Sequence, residues 1–221
     1  MSAVPRETRA RVGVCDYGVG NLRSVERALQ RAGAEPVISD DAHVLASCDG
    51  LVLPGVGAFT AAAEQLHRRG MDRCALDIAA AGRPLLGVCL GHQLLFEASD
   101  EGKGGAGLGL IPGTVTRIDA PGLKVPHIGW NRLSVGRPIP LLDGVSDGSY
   151  VYFVHSYAGT PADDADIVAT TEYGVTLAAV VQHANVMGTQ FHPEKSGVSG
   201  LRLYANFVAL CAAQRAPAVA G

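Results

Sequence analysis

Residues 87–91 read Gly-Val-Cys-Leu-Gly, a G-x-C-x-G pentapeptide between the apolar run Pro84-Leu85-Leu86 and the stretch LGHQLLFEA. In the serine form of this motif a strand turns sharply into a helix and holds the nucleophile on a strained bend. The glycines permit close backbone approach and unusual φ/ψ values. A buried cysteine alone is more often a small hydrophobe than a nucleophile. Here the flanking glycines and the strand-to-helix context favour a nucleophile at Cys89. Such a nucleophile needs a base, and GTQFHPEKS supplies one candidate. His192 and Glu194 are two residues apart, so an extended backbone projects both to one side. Pro193 biases His192 toward extended geometry. A carboxylate beside an imidazole fixes its tautomer and stabilises the imidazolium. H-x-E alone is usually a solvated surface pair; joined to the cysteine motif it becomes specific. His43, His67 and His183 have polar neighbours and read as surface residues. For His92, directly after the elbow, helix packing is as good a reading as chemistry.

The elements that must position these groups alternate through the first half of the chain. RVGVCDYG, AEPVISD, DGLVLPG and RPLLGVC read as strands. NLRSVERALQRAG, FTAAAEQLHRRG, DRCALDIAAAG and LGHQLLFEA read as helices, with Asn21 a possible N-cap and Gly33 a stop. Alternation of this kind predicts a parallel sheet covered on both faces. The second half is rich in strands and hairpins, many expected as antiparallel additions, and SGLRLYANFVALCAAQ closes the chain as a helix. The expected fold class is α/β: an open mixed, mostly parallel sheet with helices on both faces. One domain is expected over 1–221, with its core at about 11–213 and frayed ends. Ligands of such sheets bind beyond the carboxyl ends of strands, where Cys89 sits.

The 221 residues are 48% hydrophobic and 18% charged, enough to bury a sizeable core, and their net charge of −3 gives no general attraction to nucleic acid or anionic membrane. Five cysteines without C-x-x-C spacing suggest neither a zinc site nor a disulfide framework and fit a reducing compartment. No secretory signal or membrane span is read, so a cytoplasmic protein is expected. At this level a cysteine hydrolase or peptidase and a catalytically silent binding module both remain open.

GVCLGHQLLFEAS together with QFHPEKS resembles the class I (triad) glutamine amidotransferases, and LPGVGAF at 53–59 resembles their oxyanion strand. Within that family DYGVGNLRSV, GLGLIPGTV, KVPHIGWN and VYFVHSYA are similar to the glutaminase subunits of imidazole glycerol phosphate synthases. The resemblance spans about residues 11–213 and implies Cys89 as nucleophile, His192 as acid/base and Glu194 as its orienter. It implies backbone N–H groups of Val56 and Leu90 as the oxyanion hole. Gly57, Gln93, Ser156 and Tyr157 are implied to hold glutamine. His127, Trp130 and Asn131 are implied near a partner interface, and Tyr152 and Lys195 at an ammonia gate. Without the resemblance, Trp130 reads equally well as a core aromatic, and Tyr17 and Asn21 as turn and cap residues. The implied partner is a separate (β/α)8-barrel cyclase subunit of a heterodimer. That subunit makes imidazole glycerol phosphate and aminoimidazole carboxamide ribonucleotide in histidine biosynthesis; the same residues could serve another biosynthetic synthase. No cofactor or metal is implied. Two further expectations attach to the site. The helix N-terminus after Cys89 is expected to favour its thiolate. The Gly55–Val56 peptide is expected to point away from the site at rest, with Gly55→Ala hindering its flip.

Overall fold

The computed structural model describes residues 9–214; the expected frayed ends lie almost wholly outside them. In chain order the first half holds β1 (Arg11–Cys15), α1 (Leu22–Arg31), β2 (Glu35–Ser39), α2 (Ala42–Ala46), β3 (Gly50–Leu53), α3 (Phe59–Arg68), α4 (Met71–Ala80), β4 (Leu85–Val88) and α5 (Leu90–Gln93). There follow β5 (Phe96–Ser99), β6 (Gly105–Ala106), β7 (Ile111–Arg117), β8 (His127–Arg132), β9 (Ser134–Val135), β10 (Tyr150–His155) and β11 (Tyr157–Pro161). The chain ends with β12 (Ile167–Glu172), β13 (Thr176–His183), β14 (Val186–Thr189) and α6 (Gly197–Ala213).

An eight-stranded sheet runs β2-β1-β3-β4-β14-β13-β12-β9. Its β2-to-β14 portion is parallel, and the pairings from β14 outward are antiparallel. The mixed, mostly parallel α/β sheet of the sequence reading is therefore the fold. β3 and β4 are buried at every position, as strands covered on both faces must be. One core cluster joins Val12, Val14 and Val52 to Leu203, Tyr204 and Phe207 of α6; the other joins Leu51, Leu53 and Leu85 to Phe59, Leu66 and Ile78 of α3 and α4. These clusters lie on opposite faces, as the alternation of strand side chains requires.

Three expectations change. LGHQLLFEA is not one helix: α5 ends after four residues and the chain enters β5, which pairs with β6 and β7. A four-residue helix aligns few peptide dipoles, so the expected macrodipole behind Cys89 is correspondingly small. Second, the added strands do not all join the main sheet. β8 and β10 form a separate antiparallel ribbon, and β11-β7-β5-β6 a separate four-stranded sheet. Third, α2 was not anticipated; Asp41 caps it, its side chain accepting from the His43 N–H.

The parallel strands bring four connections to one end of the sheet. Those after β1, β3, β4 and β14 carry Tyr17, Pro54–Val56, Cys89 and His192, from strands that are immediate neighbours. Neighbouring strands lie about 4.8 Å apart, so residues distant in sequence meet there.

Candidate active site

Cys89 has φ 55° and ψ −107°, a conformation that few non-glycine residues adopt. Its N–H donates to the Thr189 carbonyl at 2.8 Å, which ties the bend to β14. Gly87 and Gly188 face each other across β4 and β14. A Cβ on Gly87 would lie 2.8 Å from the His92 Cα, and one on Gly188 would strike His92 Nδ1. These two glycines thus make the floor on which α5 rests. The strained elbow expected from the sequence is present.

His192 and Glu194 are also brought together, by a different geometry from the one expected. Residues Pro193–Lys195 form a 3-10 turn rather than an extended strand, with proline at its first position. His192 Nδ1 and Glu194 Oε1 are 2.7 Å apart, and both side chains are almost wholly buried. The carboxylate acceptor assigns the ring proton to Nδ1, leaving Nε2 for chemistry. That Nε2 is buried and makes no hydrogen bond. Burial opposes charging of this ring, but Cys89 and Glu194 outweigh it and push the His192 pKa up to about 9.

Cys89 and His192 line one cavity of about 320 Å³ with Val56, Gly57, Leu90, Gln93, Ser156 and Tyr157. Every residue expected to hold glutamine therefore reaches the same space. Gln93 Nε2 donates to the Tyr157 carbonyl at 2.8 Å and to Gln190 Oε1 at 3.1 Å. Leu90 opens α5, where its N–H has no intrahelical acceptor.

The sequence reading missed four contributors. Glu101 is a carboxylate on the cavity wall, anchored where its Oε2 accepts from the Phe59 N–H at 2.7 Å. Gln190 is buried and its Nε2 lies 4.0 Å from Cys89 Sγ; its position two residues before His192 was the available signal. Pro126 and His155 also line the cavity. His155 Nδ1 lies 2.9 Å from the Tyr157 carbonyl and His127 Nδ1 lies 3.0 Å from His155 Nε2. With a carbonyl at one end, this order assigns both rings as neutral Nδ1–H tautomers. Burial holds both near pKa 4, which agrees.

The residues expected at a partner interface divide between two faces of the β8–β10 ribbon. Trp130 is 55% exposed, so it is not a core aromatic; it meets Tyr152 edge-on at 6.0 Å, and Lys195 Nζ lies 5.6 Å from the Tyr152 ring centre. His127 points the other way and is buried, stacked between Phe153 and Tyr173. Asn131, on the same side as His127, donates to the Glu172 carbonyl at 2.8 Å. Tyr17 lies in the bend after β1 and is fully buried, and Asn21 occupies the N-cap position of α1 without a side-chain cap bond. A Cβ on Gly55 would lie 2.7 Å from the Tyr17 hydroxyl and 2.8 Å from the Gly91 nitrogen. Gly55→Ala must therefore displace the loop, whatever the peptide does, and does not isolate a flip.

His92 is fully buried and both its ring nitrogens lack partners. Burial depresses its pKa to about 3, so it is neutral in the fold while an unfolded chain protonates it near 6.5. The folded pKa is the lower one, so acidification through that interval costs stability. Replacement by methionine removes the orphaned donor at similar volume. His92→Met is expected to raise stability by about 1 kcal/mol at pH 7, with the advantage growing toward pH 5 and activity retained. Urea unfolding at the two pH values checks this; a destabilised variant contradicts it.

The Glutamine amidotransferase class-I family model matches residues 13–210. The chain belongs to the class-I glutamine amidotransferases. It is 53% identical to the imidazole glycerol phosphate synthase subunit HisH of Halobacterium salinarum, over 93% of this chain and 95% of that protein. The subunit HisH of Natronomonas pharaonis is 52% identical, over 91% and 95%. The chain thus falls, within the class, in the family of HisH subunits. Among solved structures, PurLQS from Thermotoga maritima superposes with a TM-score of 0.71 at 21% identity, over 91% of this chain and 98% of that one; this likeness concerns the fold. Among the described residues no helix is long and apolar enough to cross a membrane.

Proposed function

We propose that the chain is the glutaminase subunit of an imidazole glycerol phosphate synthase in histidine biosynthesis, hydrolysing glutamine at Cys89. The observation that carries this reading is the strained Cys89 elbow sharing one cavity with the His192–Glu194 pair. In the reaction the Cys89 thiolate adds to the side-chain carboxamide carbon of glutamine. The oxyanion forms between the N–H groups of Leu90 and Val56, donors of a kind worth about 3 kcal/mol each in other enzymes. His192, protonated at Nε2, gives that proton to the nitrogen, and ammonia leaves as the C–N bond breaks. A thioester remains. Water attacks it, His192 takes the proton, and glutamate departs with Cys89 restored. Gly57, Gln93, Ser156 and Tyr157 hold the substrate, and the Glu101 carboxylate suits its α-ammonium group.

Ammonia is passed to a separate (β/α)8-barrel cyclase subunit. The exposed ribbon face carrying Ile128, Trp130 and Tyr150 is the docking surface this reading assigns to it. Support comes from the bonds behind that face: the His192 N–H donates to the Tyr152 carbonyl at 3.0 Å, and Ser196 Oγ accepts from the Tyr152 N–H at 3.0 Å. A partner pressing on Tyr152 or Lys195 thereby acts on the base itself. The test is glutamate release with and without the barrel subunit and its nucleotide ligand; equal rates would contradict the coupling.

The pH profile tests the base. His192 must hold a proton for the leaving nitrogen, and its pKa of about 9 places the alkaline fall of kcat/KM there. Glu194→Gln removes one of the two groups that raise it. The alkaline limb is then expected to move down by about 1–3 pH units. An unmoved limb in the variant contradicts Glu194 as orienter. Because its folded value is the raised one, the stability His192 contributes is full below about 6.5 and lost as pH rises through about 9.

A further inference from the structure

The loop after β3 is wedged between two elements. On one side lies α5, where a Cβ on Gly55 would come within 2.8 Å of the Gly91 nitrogen and 2.9 Å of the Leu90 Cβ. On the other lies Tyr17, from the loop after β1. Its ring is fully buried and its hydroxyl donates to the Pro54 carbonyl at 2.7 Å. The same hydroxyl oxygen would lie 2.7 Å from a Cβ on Gly55. Pro54 and Gly55 are buried, whereas Val56 is 41% exposed on the cavity rim.

Tyr17 therefore fixes one peptide plane, the Pro54–Gly55 unit, by its carbonyl. The next peptide bears the Val56 N–H. A buried carbonyl with a single strong donor does not rotate without forfeiting that bond. Burial also pushes the phenol pKa well up, so the hydroxyl keeps its proton and remains a donor. Beyond Val56, Gly57 follows at φ 102° with nothing within 4 Å of where its Cβ would lie.

We propose that Tyr17 is a positioning residue for the oxyanion hole: its hydroxyl, bonded to the Pro54 carbonyl, sets the height and rotation of the Gly55–Val56 peptide relative to Leu90. The inference rests on the glutaminase reading above, with Val56 and Leu90 as the oxyanion donors. The Tyr17 side chain is not among the residues lining the cavity; it acts through the loop. A hydroxyl that only filled space would affect folding and the whole site together. One that places an oxyanion donor affects the tetrahedral intermediate and spares the steps that need no oxyanion hole.

Tyr17→Phe separates these possibilities, because the ring stays and only the donor is lost. The variant is assayed in the complex with the barrel subunit and its nucleotide ligand. Misplacing one oxyanion donor is expected to lower kcat for glutamine about 10-fold while KM changes by less than about 2-fold. Alkylation of Cys89 by iodoacetamide uses the thiolate and His192 but no oxyanion hole. Its rate is expected to stay within about 2-fold of the parent. Ammonia-dependent product formation should be unchanged. A kcat within about 2-fold of the parent overturns the proposal, as does alkylation that falls in step with kcat. Cys89→Ala run alongside tests the underlying reading: if it still releases glutamate, the glutaminase assignment at Cys89 fails, independently of Tyr17.

Discussion

Cys89→Ala is expected to abolish glutamine hydrolysis, by about 10⁴-fold or more, while the complex still makes product from added ammonia. Removal of a nucleophile eliminates the covalent path rather than weakening it, so no residual thioester is expected. No other cysteine can substitute. Cys15, Cys48, Cys74 and Cys211 are all buried, and burial raises the pKa of each, so they stay thiols at neutral pH. Only Cys89 borders the cavity with His192. Access through that cavity predicts that iodoacetamide at pH 7 labels Cys89 first and that the alanine variant is not labelled at a comparable rate. Glutamate release and mass spectrometry of the labelled chain check both. Hydrolysis at a comparable rate in the variant would remove Cys89 from the mechanism.

The elbow was legible because it makes demands on residue type that few other features make. A cysteine at positive φ between a fully buried strand and a helix needs glycines where the two elements touch, and Gly87 and Gly91 occupy those places. The ends of LGHQLLFEA were not legible. Residues 90–96 are buried without interruption, so their apolar pattern carries no period to distinguish a helix from one short turn followed by a strand. Only the partners of β5, supplied by β6 and β7, decide the matter, and those contacts lie downstream in the chain.

The pairing of His192 with Glu194 was read from a spacing of two, which is right for a strand. The chain reaches the same pairing through a 3-10 turn after Pro193. Residue types predicted the contact; the backbone path to it depended on α6 packing against that turn, where Gly200 meets the Pro193 carbonyl. The grouping of His127, Trp130 and Asn131 had the opposite weakness. Consecutive residues of a strand point to opposite faces, so within β8 His127 and Asn131 cannot share a face with Trp130. Their burial alternates accordingly along the strand. Period-two alternation in PHIGWN was available to separate a partner-facing tryptophan from an inward histidine. Glu101 was invisible for a different reason: its approach to the cavity depends on the Phe59 N–H, a contact spanning 42 residues.

Gly91→Ala is expected to be the most damaging single methyl group in the chain's active end. A Cβ there would clash with the Leu53 carbonyl oxygen and lie 2.7 Å from the Leu53 carbonyl carbon and 3.3 Å from that of Pro54. All three atoms are backbone at the end of a central strand, so no rotamer change relieves the clash. Either α5 lifts from β3, or β3 moves and breaks register with β1 and β4. Lifting α5 carries Leu90 and Cys89 away from the loop that bears Val56. The expected cost is about 3 kcal/mol or more, at the top of the range for overpacked interiors. A shift of about 1 Å between reacting groups lowers turnover about 100-fold. Gly102→Ala is the control, because Gly102 has φ 64° but nothing within 4 Å of a new Cβ. That variant carries only the backbone strain of a left-handed residue, about 1–2 kcal/mol, and should keep parental turnover. Urea unfolding and glutamate release on the pair separate crowding from strain. A Gly91→Ala chain with the parent's midpoint and turnover would show that the elbow and β3 are not in fixed contact; failure to accumulate folded Gly91→Ala, with folded and active Gly102→Ala, supports the opposite.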